Sequence, residues 1–246
     1  MSTHSSRLPA GLVLSCEHAS AQLPARFSDW LDLSPKLLAS HRAFDAGALQ
    51  LARELARSLR APLIEGRHSR LLVDLNRPAG AAFAGPARAL DRQRRQTLLD
   101  ELHSPHWDAV RSAVQAAPAP TLHLGCHSFT PVLRGVRRNV DIGLLFDPSR
   151  PLEREFSRRW QGALALRLPG LRIRCNAPYR GTSAGLTTSL RCEFLPTRYL
   201  GCELECNQRL WRRGQAWPPE LLDALIESLA QLLGRRRTPG RALRRL

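Results

Sequence analysis

At four places in the chain, chemically able side chains follow or end a short apolar run. Glu17 and His18 come after Gly11 to Cys16, and Asp74, Asn76 and Arg77 come after Leu71, Leu72 and Val73. His127 and Ser128 come after Thr121 to Cys126, while Glu203 and Glu205 lie within the run Tyr199 to Cys206. Runs of this kind read as buried strands, and in open α/β sheets ligands bind beyond the carboxyl ends of the strands. Imidazoles and carboxylates delivered from separate strand ends suit a catalytic zinc site, where three protein ligands hold the ion and one position is left for water. A carboxylate outside the ligand set can then act as general base on that water. Asp74-Leu75-Asn76-Arg77 suits another task, because a guanidinium fork with a neighbouring amide can grip a carboxylate ligand.

Each of these residues has a plainer reading. A single histidine after a strand is more often a structural hydrogen-bonder than a ligand. Arg77 or Arg70 with Asp74 would be an ion pair that fixes a loop, and Arg70 reads equally well as a second carboxylate or oxyanion donor. Asp45 stands at the edge of an amphipathic helix, where a carboxylate caps the helix and complements its dipole. Thr187 is a candidate substrate contact, with loop packing as its plainer role. Two histidines at strand ends, beside an acid and an Asn-Arg pair, tip the balance towards a site. His68 and His123 are intermediate, and His123 shares a sheet face with His127 by alternation. His4, His41, His103 and His106 read as solvated. Ser128 is not read as a nucleophile, since strand neighbours face opposite ways and no G-x-S-x-G elbow is present.

The elements that must position these groups alternate along the chain. Strands are expected at Gly11 to Cys16, Ala61 to Ile64, Arg70 to Leu75, Thr121 to Cys126, Val140 to Phe146, Arg172 to Cys175 and Tyr199 to Cys206. Helices are expected within Asp29 to His41, over Asp45 to Arg60, through Leu90 to Ala116 with a break near Ser104-Pro105, and over Leu152 to Leu168 and Pro218 to Leu233. In Asp45 to Arg60, Leu49, Ala52, Leu55, Ala56 and Leu59 fall at helical spacing. Ala79 to Ala89, rich in Gly, Ala and Pro, reads as a loop or lid. The pattern predicts an α/β fold: a mixed, mostly parallel central sheet with helices on both faces.

A chain of 246 residues, 43% hydrophobic and 24% charged, fits one soluble domain. We expect that domain over residues 11–234, flanked by an N-terminal tail (1–10) and a basic C-terminal tail (235–246). No apolar run approaches the roughly 20 residues needed to span a bilayer, and Met1 to Pro9 lacks the features of a secretory signal. A cytoplasmic setting is therefore expected. The six cysteines form no CxxC pair and several lie in strand-like runs, so they read as free thiols rather than a zinc knuckle or disulfide framework.

The net charge of +16 raises nucleic acid as a partner. Against it, only Lys36 among the 37 basic residues is a lysine, and the arginines are dispersed outside Arg235 to Arg237 and Arg241 to Arg245. Aromatics at 6% are too sparse for a base-stacking platform. A non-catalytic, polyanion-binding protein is kept as the alternative from another class, to be recognised by steep salt dependence.

Several motifs, in order and spacing, resemble the N-formylglutamate amidohydrolase family. They are Ser15-Cys16-Glu17-His18-Ala19-Ser20, Phe44-Asp45-Ala46-Gly47-Ala48, Ser69 to Pro78, His127 to Pro131, Asp141-Ile142-Gly143-Leu144-Leu145, Pro178-Tyr179 with Gly181, and Glu205. Asp74-Leu75-Asn76-Arg77 also resembles the substrate-carboxylate motif of the related aspartoacylases. The resemblance implies a zinc-dependent hydrolase of a non-peptide amide bond, with a fold similar to the zinc carboxypeptidases. It implies one Zn2+ held by His18 and His127, substrate held by Asn76 and Arg77, and Glu205 as the base. The substrate implied is a small N-formyl or N-acyl acidic amino acid such as N-formyl-L-glutamate; another N-acyl amino acid or a short peptide is the same-fold alternative. Where carboxypeptidase-type sites have His-x-x-Glu, this chain has Ala21, so the third ligand comes from Glu17 or Asp45. Glu17 is preferred because it shares a strand end with His18, and capping accounts for Asp45 without a metal. Ala177, where the family often has an acid, and the stretch Thr188 to Leu195 depart from the pattern and bear on the substrate more than on the reaction.

Overall fold

The computed structural model describes residues 9–211 and 216–235. Most of both expected tails therefore lies outside the described residues. The exceptions are Pro9, Ala10 and Arg235, and Arg235 donates to the Leu59 carbonyl over 3.1 Å.

Six strands form one sheet: β1 (Gly11–Cys16), β2 (Leu63–Glu65), β3 (Thr121–Phe129), β6 (Ile142–Leu145), β7 (Ile173–Cys175) and β8 (Tyr199–Asn207), in the order β2-β1-β3-β8-β6-β7. A small antiparallel hairpin, β4 (Val132–Leu133) with β5 (Val136–Arg137), stands apart from it. Pairing is parallel except between β6 and β8. The sheet is thus mixed and mostly parallel, as the pattern predicts.

Strand alternation sorts the two faces. Leu12, Leu14 and Cys16 of β1, Leu122, Leu124 and Cys126 of β3, and Leu200, Cys202, Leu204 and Cys206 of β8 join one apolar core. That core is covered by α2 (Ala48–Leu59), α5 (Pro151–Arg167) and α7 (Pro219–Leu232), through Leu51, Leu55, Trp160, Leu225 and Leu229 among others. Four of the cysteines are buried there as free thiols, and burial pushes their pKa values up. The intervening residues, Ser15, His123, His127, Glu203 and Glu205, belong to the other face. There α4 (Ser104–Ala116) and α6 (Leu186–Glu193) pack Trp107, Val110, Val114, Leu186 and Leu190 against Val13 and Tyr199. One face is a hydrocarbon core and the other carries the polar chemistry. Among the described residues no helix is long and apolar enough to cross a membrane.

Two local expectations need correction. Arg70 to Leu75 is no strand but an irregular buried segment. Leu72 and Val73 fill a cluster with Phe27, Leu31, Ala82, Leu90 and Leu98. The backbone finds loop partners instead of a ladder: Arg70 N–H donates to Ala43 O, and Asp74 N–H to Ala82 O. The second correction concerns the start of α2. Gly47, at φ 80°, occupies the N-cap position with no side-chain cap, so Asp45 does not cap the helix. The expected short helix is α1 (Pro35–Leu38), and the break expected near Ser104-Pro105 is a π turn, Leu99–His103, between α3 (Arg92–Leu98) and α4.

Candidate active site

The carboxyl ends of β1 and β3, together with β8, gather the polar groups around one cavity of about 180 Å3. His18, Asp45, Arg70, Asn76, Arg77, His127, Glu203 and Glu205 all line it. Asp45 is drawn in from a distant part of the chain because its backbone N–H donates to His18 O over 2.9 Å. Its carboxylate then faces both histidines, with Oδ2 lying 3.3 Å from His18 Nδ1 and 3.1 Å from His127 Nδ1. These three buried groups can each turn a ligand atom to a common point, the atoms lying within 4.8 Å of one another.

The far nitrogen of each ring also meets an acid. His18 Nε2 lies 2.7 Å from Asp74 Oδ1, and His127 Nε2 lies 3.1 Å from Glu17 Oε2. A neutral imidazole has one N–H and one lone pair, so it cannot donate to two carboxylates at once. Without a cation each ring is drawn to its protonated form. Burial works against that form at His127, and Asp45 and Glu17 outweigh it, raising the pKa well above the usual value. At His18, burial and Arg70 oppose protonation, and Asp74 and Asp45 again prevail. A divalent cation removes the conflict, because each Nδ1 lone pair would face the metal and each Nε2–H its acid. The spacing fits as well. Tetrahedral ligand atoms on arms of about 2.0–2.1 Å stand about 3.3 Å apart, close to the observed separations.

Glu205 stands beside His127 in the β3–β8 register and is 6% exposed. Its Oε2 has no hydrogen-bond partner among the described residues. Burial first, then Asp45 and Glu203, push its pKa up to about 8, while His127 and His18 pull the other way. Opposite it on β6 is Gly143, where a Cβ would come within 2.2 Å of Ala177 O. That absent side chain lets the loop after β7 close over the strand ends. Asn176, at φ 51°, holds the loop by accepting from the Phe146 and Gly181 N–H groups, each over 3.0 Å.

Asn76 and Arg77 line the cavity as expected. Asn76 Oδ1 accepts from Leu186 N–H at the start of α6 over 3.1 Å, and Arg77 donates to Ala184 O. Arg70 both lines the cavity and pairs with acids, at 2.9 Å from Asp74 and 3.5 Å from Asp45. Asp74, expected at the substrate, does not line the cavity; it accepts from His18, Arg70 and the Asn76 N–H. Thr187 does not line the cavity either, and donates to the lining residue Glu203 over 2.8 Å. Glu17, preferred as the third ligand, sits on the side of the His127 ring remote from Asp45. Ser128 Oγ donates to Ala46 O over 2.7 Å and pairs with no histidine.

Tyr179, which the sequence offers only as part of a motif, and Arg180, Ser183 and Gly185, which it does not single out, form the cavity wall after β7. The positive signal was the turn sequence Asn176 to Gly181, directly behind a strand. His103 and His106, read as solvated, are buried.

Fold and site together define an α/β protein whose strand ends carry a candidate metal centre. The sequence model of the N-formylglutamate amidohydrolase family matches residues 10–212, and the chain belongs to that family. Its members are named as amidohydrolases, enzymes that hydrolyse C–N bonds. A gene product of Agrobacterium tumefaciens is similar at 32% identity and a TM-score of 0.71, over 92% of this chain and 90% of that one. The N-formylglutamate amidohydrolase of Ralstonia eutropha JMP134 is similar in fold, with 18% identity, a TM-score of 0.59 and 93% of each chain covered. A metallo-carboxypeptidase of Burkholderia cenocepacia aligns at 14% identity and a TM-score of 0.41, over 95% of this chain and 58% of that one. No protein of curated function matches the sequence significantly.

Proposed function

We propose that this chain is a zinc-dependent amidohydrolase acting on an N-formyl or N-acyl acidic amino acid such as N-formyl-L-glutamate. One observation carries the reading: His18 Nδ1, His127 Nδ1 and Asp45 Oδ2 converge in the cavity that Glu205, Asn76 and Arg77 also line. His18, His127 and Asp45 would hold the ion. A zinc ion so held supplies Lewis acidity towards the scissile carbonyl and lowers the pKa of water to about 7.

The chain's own residues do the rest. Arg77, with Asn76, receives the substrate carboxylate and sets the amide in the cavity. Glu205 accepts a proton from the attacking water, whose oxygen adds to the acyl carbon. The C–N bond then breaks and Glu205 returns the proton to the leaving nitrogen, giving a carboxylic acid and a free amine. Arg70, held by Asp74 and Asp45, faces the same space and is placed to steady negative charge on the carbonyl oxygen. Burial suits Glu205 to this work, since a base whose pKa lies near the working pH can both take and give a proton. A single domain over residues 11–234 and a cytoplasmic setting belong to the same proposal.

Formate release from N-formyl-L-glutamate tests it, on wild type and Glu205→Gln loaded with the same zinc content. Turnover by wild type and its loss in the variant are expected. Equal turnover by the two would remove Glu205 as the base, and no turnover by zinc-loaded wild type would remove the substrate.

A further inference from the structure

One face of α4 and the π turn before it is directed at the site from behind. His103, His106 and Trp107 fall at i, i+3 and i+4, a spacing that shares a helix face, and all three are buried. His103 Nε2–H donates to Arg77 O and Trp107 Nε1–H to Leu75 O, each over 2.8 Å. Both bonds hold the backbone of the Asp74–Arg77 stretch.

His106 reaches a different target. Its Nε2 lies 3.7 Å from Glu17 Oε1, and Glu17 Oε2 lies 3.1 Å from His127 Nε2. Neither approach has hydrogen-bond geometry, so the two Glu17 oxygens and the two ring nitrogens are without a hydrogen-bond partner among the described residues. Leaving buried polar atoms unmatched is expensive. Here they stand in one line, running from a candidate ligand to a helix. Beyond His106 is a second cavity of about 390 Å3, lined also by His68, Leu63, Leu75 and Leu102. None of His18, Asp45 and Glu205 reaches it.

The other candidate histidine shows what such a line does. His18 is backed by Asp74, and Asp74 is in turn held by Arg70 and the Asn76 N–H. Each ring thus has an acid behind it; Asp74 has its further donors in hand, and Glu17 has His106 Nε2 facing it at 3.7 Å, just beyond hydrogen-bond length. We propose that Glu17 and His106 form the matching brace for His127, fixing its ring with Nδ1 towards Asp45, so that both are positioning residues and not ligands. This rests on the proposed metal centre. The carboxylate accepts the Nε2–H of His127 and so selects the tautomer with the Nδ1 lone pair free. His106 keeps that carboxylate from rotating away.

The test is zinc affinity of the full chain, by competition with a chromophoric chelator, for wild type, Glu17→Gln, His106→Ala, His106→Gln and His68→Ala. Outer acids of this kind are typically worth about 10–100-fold in metal affinity, and a loss in that range is expected for Glu17→Gln and His106→Ala. His106→Gln, which retains a side-chain N–H, should recover most of it. His68→Ala opens the same cavity but removes no acid's partner, and should bind as wild type does. The visible spectrum of the cobalt-substituted protein should change in Glu17→Gln and His106→Ala, which a loss of packing alone would not produce in a variant that still melts cooperatively. Wild-type affinity in folded Glu17→Gln and His106→Ala would overturn the brace. So would complete loss of binding in Glu17→Gln with His106→Ala unaffected, because Glu17 would then be a ligand. Should Glu17→Gln fail to fold, the two His106 variants decide. A wild type that takes up no zinc overturns the metal centre itself, a separate result.

Discussion

Glu153 and Glu205 are both buried acids, yet their surroundings are opposite. Glu153, 2% exposed on α5, accepts from the Gly201 and Asp147 N–H groups at 3.0 and 2.9 Å and from Arg191 Nε at 3.0 Å. Arg191 in turn donates to the Gly181 and Gly201 carbonyls, tying α5, β8 and the loop after β7 together. Glu205 shares its interior with two other acids, Asp45 and Glu203, and its Oε2 is unmatched among the described residues. A closed network of donors around a buried charge holds a fold together. An open one beside a cavity stores an unmet demand, which is where binding and proton transfer are found.

Removing each acid sharpens that contrast. Glu205→Gln should lower kcat/KM by about 10²–10⁴-fold while leaving the melting temperature unchanged or higher. The pH dependence follows from the raised pKa. A folded-state value of about 8, above the ordinary carboxylate value, means the metal-free protein loses stability as pH rises towards 8. A bound cation draws the value down, so the rising limb of activity should have its midpoint below 8 and should vanish in the variant. Glu153→Ala should behave in reverse. Stranding the Arg191 charge should cost about 3–5 kcal/mol of stability by urea unfolding, with kcat of the folded fraction little changed.

Asp74→Asn probes the arm behind His18. Zinc affinity should fall about 10-fold, measured with the same chelator, and the fold should persist. The smallest effect concerns the neutral histidines. Burial lowers the pKa of both His68 and His123 to about 4. A histidine lowered in this way contributes stability in full above its usual value of about 6.5 and loses it as pH falls to 4, because the unfolded chain takes up the proton first. Each should contribute at most about 3 kcal/mol, and His68→Gln should flatten the urea midpoint between pH 6.5 and 4. Acid groups with lowered pKa values, such as Asp74 and Asp141, lose their contribution mainly below about pH 5, at the acid end of that window.

The contrast also separates what the sequence discloses from what it conceals. The runs that became β1, β3 and β8 are legible because alternation is local, and with them came His18, His127 and Glu205. Asn76 and Arg77 are legible because their side chains leave few other tasks. Asp45 was hidden. An acid ahead of an amphipathic helix has a local reading as a cap, and only the long-range bond from its N–H to His18 O turns it into the cavity. Glu17 has the mirror problem: it adjoins His18 along the chain, yet its carboxylate faces the Nε2 side of the His127 ring, away from Asp45. His103 and His106 read as solvated because nothing local says which helix face is covered, although the His103, His106 and Trp107 spacing marks a common one. The Arg70 to Leu75 run looked like a strand by composition, and tertiary packing against Phe27 and Leu31 decided otherwise.

The measurement closest to the central claim is the zinc stoichiometry of the purified chain and of Asp45→Asn, by mass spectrometry. The account predicts about one zinc per wild-type chain and little in the variant. Wild-type protein that binds no zinc under conditions that load other zinc enzymes would contradict it, and so would full retention by Asp45→Asn.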